Sequence, residues 1–213
     1  MFDMKTEILF LMGITWSGKT TLLDTSEILH HDAFTYVQSL TTRALRPWEV
    51  NGKKYRHISP EEFETYIYNG DMLEYAVVHQ IAHYGTKLSD ILAPATQWKI
   101  AIKEIETKWL IKIHEWGKIE WRYATIFLDI PEDILKERLQ ERWTTDPEEL
   151  KRRIVSSYHE RKHAKQYCDY IINASWTKEE VAISFWNTIK KIFPSITIPE
   201  KFISDTTLDR KDS

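Results

Sequence analysis

The stretch Gly13-Ile-Thr-Trp-Ser-Gly-Lys-Thr20 decides the fold, because it matches the pattern G-x-x-x-x-G-K-[ST] of a phosphate-binding loop. It follows the apolar run Ile8-Leu-Phe-Leu-Met12, which is typical of a strand buried on both faces of a parallel sheet. The residues from Thr20 to Leu29 then place apolar side chains at helical spacing. Strand, glycine loop and helix in this order predict an α/β fold with a phosphate site at the start of its first helix.

Each residue type in this loop has a task toward a nucleoside triphosphate. The glycines let successive backbone N–H groups turn toward an anion, and the helix adds the positive end of its dipole. Lys19 is expected to reach the β- and γ-phosphates as a catalytic residue, and the Thr20 hydroxyl to bind the Mg²⁺ that accompanies ATP. The predicted ATP-binding residues of the loop are Gly13, Ile14, Thr15, Trp16, Ser17, Gly18, Lys19, Thr20 and Thr21.

Composition excludes several function classes. The chain has 213 residues, 42% hydrophobic and 29% charged, which suits one α/β domain with insertions. Its net charge of −3 gives no field that would hold a nucleic acid, so no such partner is expected. The longest apolar run, residues 8–14, is far shorter than the roughly 20 residues of a membrane span, and no membrane contact is expected. A single cysteine, Cys168, and a start without a secretory pattern favour a cytoplasmic protein. A monomer or a homodimer is expected.

The pattern of apolar and charged residues divides the chain into a core, an inserted subdomain, a lid and a tail. Buried-strand patterns before and after the middle of the chain predict a three-layer P-loop fold with a central parallel sheet. Short β-like runs, the first at Thr35-Tyr-Val37, and turn signals predict an inserted α+β subdomain. A highly charged pair of helical segments predicts a mobile lid, and the polar C-terminal end a loose tail. The predicted boundaries are 1–34, 91–130 and 165–194 for the core, 35–90 for the subdomain, 131–164 for the lid and 195–213 for the tail.

A second motif follows the phosphate loop. The segment Ser39-Leu-Thr-Thr-Arg-Ala-Leu-Arg-Pro-Trp-Glu-Val-Asn-Gly-Lys-Lys-Tyr55 resembles the guanylate kinases, which carry Ser-x-Thr-Thr-Arg-x-x-Arg-x-Gly-Glu-x-x-Gly-x-x-Tyr at this place. The likeness continues through Asn69 to Ala76, Tyr84-Gly-Thr86 and Tyr167 to Asn173. It implies Mg²⁺-dependent transfer of a phosphoryl group from ATP to GMP, with residues 35–90 as the GMP-binding subdomain. Deoxy-GMP is expected to be accepted too, because no residue identified here reads the 2′-hydroxyl.

The chemistry of GMP agrees with this implication. Its dianionic phosphate suits arginine and tyrosine donors. Guanine presents two donors side by side, at N1 and N2, and one carboxylate accepts both, whereas it would face the N1 lone pair of adenine. Glu74 is therefore predicted to select the base, and the resemblance implies that Ser39 and Thr86 complete the contact. The predicted GMP-binding residues are Ser39, Arg43, Arg46, Tyr55, Glu74, Tyr84, Thr86, Glu104 and Glu106.

The resemblance also implies which residues of the lid take part in transfer. Arg138, Arg142 and Arg153 are expected to close over the migrating phosphoryl group as catalytic residues, and Asn173 to contact ATP. Arg138 and Arg142 are four residues apart, on one face of a helix. An alternative interpretation is that these two arginines pair with Glu137 or Glu141 and only keep that helix soluble.

Several positions depart from the family pattern. Tryptophan stands where the family has glycine at Trp16, Trp48 and Trp143, and the family's Asp-x-Asp pair is Glu104-Ile-Glu106. These changes predict slower or differently selective activity.

Two other functions stay open at this point. One is a related P-loop kinase acting on another small phosphorylated substrate, against which the presence of Glu74 and Ser39 argues. The other is a non-catalytic guanylate-kinase-like interaction module, against which the intact Gly18-Lys-Thr20 argues. A GTPase is disfavoured because the chain has no Asn-Lys-x-Asp motif.

Overall fold

A computed structural model describes residues 6–14, 16–47, 49–50, 52, 55–78, 82–117, 119, 123–142 and 147–203. The side chains of residues 78, 140–142, 147, 149 and 150 are outside this description. The predictions for Thr15, Trp48, Trp143 and the Arg142 side chain therefore fall outside the described residues.

The core is a five-stranded parallel sheet in the order β2-β7-β1-β8-β9. Residues Ile8 to Met12 of its central strand are fully buried, as the apolar run predicted, because both faces of the sheet are covered. The strands are β1 (Ile8–Gly13), β2 (Phe34–Tyr36), β7 (Ile100–Glu104), β8 (Tyr123–Asp129) and β9 (Tyr170–Asn173). The prediction that Thr35 to Val37 belong to the inserted subdomain was wrong. Strand β2 pairs in parallel with β7 and extends the core sheet, a pairing across more than sixty residues that no local pattern shows.

Helices follow the core strands and pack against one another in two groups. The first group is α1 (Lys19–Thr25) with α7 (Lys178–Ile192), and the second is α4 (Thr107–Trp116), α5 (Glu132–Arg142) and α6 (Pro147–Tyr167). Helix α1 is shorter than predicted, because the chain turns at Glu27, which has a φ of 56°, and continues as a 3₁₀ turn. In the described part of the chain, no helix has the length and apolar character that a membrane crossing requires.

A second, four-stranded sheet in the order β4-β3-β6-β5 lies between β2 and α3 along the chain. Leu40, Phe63 and Met72 form its own small hydrophobic core. The helix of this subdomain begins at a capped residue, because the Ser59 side chain accepts a hydrogen bond from the backbone N–H of Glu62. The elements are β3 (Ser39–Thr41), β4 (Tyr55–His57), α2 (Pro60–Tyr68), β5 (Met72–Val78), β6 (Ala82–Lys87) and α3 (Leu88–Leu92). All but the last helix fall wholly within 35–90, while the domain boundaries themselves stay a prediction.

The segment after Pro194 is not loose as far as it is described. Phe202 is only 6% exposed, and its ring stacks on that of Trp186 at 6.2 Å between centroids. Ile196 and Ile198 also pack against the main core. The prediction of a loose tail was wrong for this part of the segment, because a few apolar residues spaced among polar ones are enough to pack it against the core.

Phe202→Ala is expected to destabilise the protein by about 3–5 kcal/mol, because it removes a buried aromatic ring from the core. For a protein of this size the melting temperature should fall by roughly 6–20 °C. Thermal unfolding followed by circular dichroism measures this. Ile203→Ala is the matched control, since Ile203 is 57% exposed, and an equal loss in both variants would contradict the packing described.

Candidate active site

The phosphate loop connects β1 to α1 through backbone conformations that depend on its glycines. Gly18 has a φ of 90° just before the helix. A Cβ atom at Gly13 would overlap Ser17 Oγ and would lie 2.8 Å from the carbonyl oxygen of Leu128. Trp16 has a φ of 69°, the left-handed region that favours glycine, which is the residue the resemblance leads one to expect there. The loop therefore keeps the glycine-type backbone while presenting an indole ring.

Lys19 begins α1 and folds back over its own loop. Its Nζ donates to the carbonyl oxygens of Gly13 at 2.6 Å and Ile14 at 3.2 Å. Burial lowers the pKa of Lys19, and the nearby carboxylates, Glu104 foremost, oppose that shift. The ammonium group is thus held at the mouth of the loop, where phosphate oxygens would be stronger acceptors than carbonyl oxygens.

A cavity of about 620 Å³ opens on one side of this loop. Its walls include the loop itself, the start of α1 and the turn after β9 with Ala174 and Trp176. Arg138 on α5 lines this cavity. Its guanidinium donates to the carbonyl oxygens of Trp16 at 3.1 Å and Ala174 at 3.0 Å. The predicted Arg138 therefore lies beside the phosphate loop, and among the described side chains of α5 it has no carboxylate as an ion-pair partner.

Asn173 acts on this cavity through its neighbours. Its Oδ1 accepts hydrogen bonds from the backbone N–H of Ser175 at 2.9 Å and from the Ser175 hydroxyl at 2.7 Å. The side chain thus shapes the turn that carries Ala174 and Trp176, while Asn173 itself does not line the cavity.

A second cavity of about 850 Å³ meets the first at Trp16, Lys19 and Thr20. It extends between the phosphate loop, the ends of β2 and β7, and helix α6. Ligands bound in these two cavities would both reach the lysine and the hydroxyl of one phosphate loop.

Glu74 and Thr86 are brought together by the pairing of β5 with β6. The Thr86 hydroxyl donates to Glu74 Oε1 at 2.6 Å, and both side chains are buried. Burial raises the pKa of Glu74 despite this hydrogen bond. A carboxylate with one hydrogen bond made still has acceptor capacity for a ligand. Neither Glu74 nor Thr86 is among the residues that line the second cavity.

Arg43 is held in place by a residue that the sequence analysis did not select. Both terminal nitrogens of its guanidinium donate to Glu49, each at 2.9 Å, and its Nε donates to the Tyr84 hydroxyl at 3.1 Å. The hydrogen bonds from Arg43, with that from the backbone N–H of Arg46, lower the pKa of Glu49 to about 2. Tyr55 packs its ring against Tyr84 at 5.6 Å between centroids. Glu49 thus contacts Arg43 and Arg46 directly, and Tyr84 and Tyr55 follow through Arg43. These are four of the predicted GMP-binding residues.

The two predicted carboxylates at the end of β7 have different surroundings. Glu104 Oε2 accepts a hydrogen bond from the Tyr36 hydroxyl at 3.0 Å, and burial, reinforced by this carboxylate, raises the pKa of Tyr36. Glu106 is 70% exposed and pairs with Lys108 at 2.6 Å. Both line the second cavity, but only Glu104 accepts a hydrogen bond from a half-buried partner, Tyr36.

Helix α6 contributes a cavity wall that sequence reasoning missed. Ser156, His159, Glu160 and His163 line the second cavity, whereas Arg153 lies outside its lining. Burial raises the pKa of Glu160, and the Lys19 charge opposes that shift. One face of α6 therefore points toward the phosphate loop, a placement set by how the helix packs on α4 and α5.

Lys103 and Ser39 are also adjacent in this wall. Lys103 Nζ donates to Ser39 Oγ at 2.6 Å, and Ser39 is the first residue of β3. A lysine inside the strand Ile100-Ala-Ile-Lys-Glu104 was the available signal for a buried functional charge.

Two glycine substitutions should separate the phosphate loop from the second sheet functionally. Gly13→Ala places a Cβ against the phosphate loop, whereas Gly85→Ala places one 2.6 Å from the carbonyl oxygen of Glu74. Crowding of this kind costs about 1–3 kcal/mol, so we expect the first variant to raise KM for the triphosphate about tenfold, and the second to do so for the acceptor. Steady-state kinetics with each substrate varied in turn measures this. The same KM affected in both variants would contradict the division.

Three comparisons with known proteins agree on one family. A sequence model described as guanylate kinase matches residues 5–183. A guanylate kinase of Helicobacter pylori is 32% identical over 186 residues, which are 85% of this chain and 87% of that protein. A guanylate kinase of Lactiplantibacillus plantarum is 36% identical over 169 residues, 78% of this chain and 79% of that protein. The crystal structure of guanylate kinase from Anaplasma phagocytophilum shares the fold, with a TM-score of 0.62 and 22% identity over 90% of this chain and 88% of that one.

Proposed function

This chain belongs to the guanylate kinase family, and we propose that its two joined cavities hold the two substrates of ATP-dependent GMP phosphorylation. The protein is a nucleoside monophosphate kinase, which transfers the terminal phosphoryl group of ATP to the phosphate of GMP. The 620 Å³ cavity at the phosphate loop takes ATP, and the 850 Å³ cavity takes GMP. Deoxy-GMP is the second acceptor that we propose.

The single observation that carries the assignment is the point where these cavities meet. Lys19 and Thr20 line both, so a phosphate bound from either side reaches the same ammonium and hydroxyl. Phosphoryl transfer needs an oxygen of the acceptor phosphate in line with the γ-phosphorus and the leaving β-phosphate oxygen. Holding both substrates against one loop supplies that positioning.

Base selection is assigned to Glu74. Its Oε1 accepts from Thr86 and has a second lone pair, so the two carboxylate oxygens together are assigned the N1–H and the N2 amino group of guanine. Adenine would turn a lone pair toward the same buried oxygen and leave both groups unpaired, which is the kind of mismatch that gives strong discrimination. The GMP phosphate is assigned to Arg43, Arg46, Tyr55 and Tyr84. To bind it, Arg43 would exchange part of its hydrogen bonding with Glu49 for hydrogen bonds to the phosphate.

Transfer is assigned to side chains that neutralise charge around the phosphates. Lys19 would exchange its two carbonyl acceptors for the β- and γ-phosphates, and Arg138 would reach the same groups from α5. Arg142 and Arg153 keep the lid roles that the resemblance implies. With water excluded from the closed cleft, the phosphoryl group passes to GMP rather than to water.

Mg²⁺ fits the oxygen donors at the junction. Thr20 is exposed in the first turn of α1 and lines both cavities, and hydroxyl and phosphate oxygens are the hard ligands that this ion prefers. Bound there with ATP, it would supply charge neutralisation between the β- and γ-phosphates.

A coupled assay of ADP formation with GMP, deoxy-GMP, AMP, CMP and UMP tests the assignment. We expect GMP and deoxy-GMP to be used and the other three to be turned over at least about a thousandfold less efficiently, since a buried hydrogen-bonding site rejects mismatched analogues by such factors. Equal use of AMP and GMP would remove Glu74 as the reader of the base. A cytoplasmic location and a monomeric or homodimeric state complete the proposal.

A further inference from the structure

Lys103 is a buried lysine that the reaction as described does not use. It is the fourth residue of β7 and only 2% exposed. Its Nζ donates to the carbonyl oxygen of Val37 at 3.0 Å and to Ser39 Oγ at 2.6 Å. Lys103 thereby ties the core sheet to the first residue of the second sheet, at the wall of the GMP cavity.

The charges around Lys103 belong to the same site. Burial lowers the pKa of Lys103 to about 8, and the carboxylates of Glu74, Glu104 and Asp90 oppose that shift, Glu74 most strongly. Of these, Glu104 also accepts from the Tyr36 hydroxyl, and Asp90 pairs with Arg56. Lys103 in turn lowers the pKa of Glu74 against the effect of burial. At neutral pH the lysine is charged and favours the ionised form of the carboxylate assigned to guanine.

The hydrogen bond to Ser39 has a directional consequence. An ammonium group has donors and no acceptor, so Ser39 Oγ must accept from Lys103. The Ser39 hydroxyl proton then points elsewhere and is available to a ligand. Guanine offers an acceptor, O6, where adenine offers an amino donor. A serine fixed as a donor therefore favours guanine.

We propose that Lys103 is a positioning residue for guanine recognition, which fixes the Ser39 hydroxyl as a donor toward O6 and supports the negative charge of Glu74. This rests on the proposed function of the cavity as the GMP site. Lys103 acts through these two side chains and does not itself touch the reacting groups. The competing explanation is a purely structural link between the two sheets.

Lys103→Met separates these explanations, because methionine fills the same volume without donors or charge. We expect KM for GMP to rise about tenfold to a hundredfold, the effect of losing a charged hydrogen-bond partner. KM for ATP and kcat should stay within about twofold, since the ATP cavity is lined by other residues. A rise in both KM values together, or no change in either, would overturn the proposal.

The pH dependence supplies a readout that a structural link would not move. The ratio of KM for GMP between Lys103→Met and wild type should fall several-fold from pH 7 to pH 9, because only the wild type loses the Lys103 charge as the pH passes its pKa of about 8. Ionisation of GMP itself cancels in this ratio. A ratio that does not change with pH would favour the structural link.

Two further variants keep the test decisive. On a Ser39→Ala background, Lys103→Met should raise KM for GMP less than it does alone, because the contact through Ser39 is already lost. Full additivity would show that Lys103 does not act through Ser39 and would overturn that part of the proposal. Lys103→Gln keeps an N–H donor and is the second variant if methionine prevents folding. It should give a KM for GMP between those of the wild type and Lys103→Met. A wild-type KM for GMP would contradict the need for a charge at this position. Wild-type turnover of GMP is measured first, so failure of the proposed function is recognised separately.

Discussion

Lys19→Met is expected to lower kcat by about a hundredfold to a thousandfold, the scale for removing one preorganised group that stabilises charge in the transition state. Lys19 is the cation shared by both cavities, and the charge that develops on the transferring phosphoryl group has no substitute for it within the phosphate loop. Methionine keeps most of the side-chain volume. The measurement is kcat for GMP phosphorylation at saturating ATP and GMP, with the circular dichroism spectrum as a check on folding.

The matched control for this variant is Lys191→Met. Lys191 is an exposed lysine of α7 and lines neither cavity, so its replacement removes the same charge without touching the site. Near-wild-type kcat in Lys19→Met, or an equal loss in both variants, would remove the phosphate loop from the mechanism proposed here.

Glu74→Gln is expected to lower kcat/KM for GMP by about a hundredfold to ten-thousandfold. The carboxylate is assigned two hydrogen bonds from guanine, each worth about 1.5–3 kcal/mol when one partner is charged, and an amide can accept only one of them while its NH₂ opposes the other. KM for ATP should not change, because Glu74 lies outside the ATP cavity. The control is Glu64→Gln, an exposed carboxylate on α2 of the same subdomain. Retained discrimination between GMP and AMP in Glu74→Gln would contradict the assignment.

The same variant should be more stable than the wild type when no substrate is bound. Burial raises the pKa of Glu74, so the folded state disfavours the ionised form, and a neutral amide avoids that penalty at pH 7. Below the ordinary value of 4.5 the carboxyl is protonated in both states and the difference should vanish. Melting temperatures from pH 4 to pH 7 measure this, and a growing difference with rising pH is expected. If Glu74→Gln loses activity while its melting temperature rises, the loss of activity is due to lost recognition of GMP and not to misfolding.

Motifs with a local mechanism were predicted well from the sequence. The phosphate loop and its buried strand depend on neighbouring residues, so their patterns are visible in a short window. The start of helix α7 is equally local, because Thr177 and Glu180 form its capping box. The assignment of Arg43, Glu74 and Thr86 to one substrate came from a resemblance of motifs, and their adjacency could not be derived from spacing alone.

Residues whose role depends on distant partners were missed. The role of Lys103 is visible only once Val37 and Ser39 lie against it, and that of Glu49 only once Arg43 folds onto it. The docking of Phe202 on Trp186 also joins segments without a shared pattern.

Short-range chemistry in the chain was therefore enough to establish a phosphate loop between a buried strand and a helix, and with it the class of ligand. The folded arrangement alone decided that β2 belongs to the core sheet, that two cavities meet at Lys19, and that a lysine of β7 lies beside the serine of β3. The reason is physical: helices, turns and loops are governed by contacts a few residues apart, whereas parallel strand pairing and buried charge compensation arise between segments that meet only after folding.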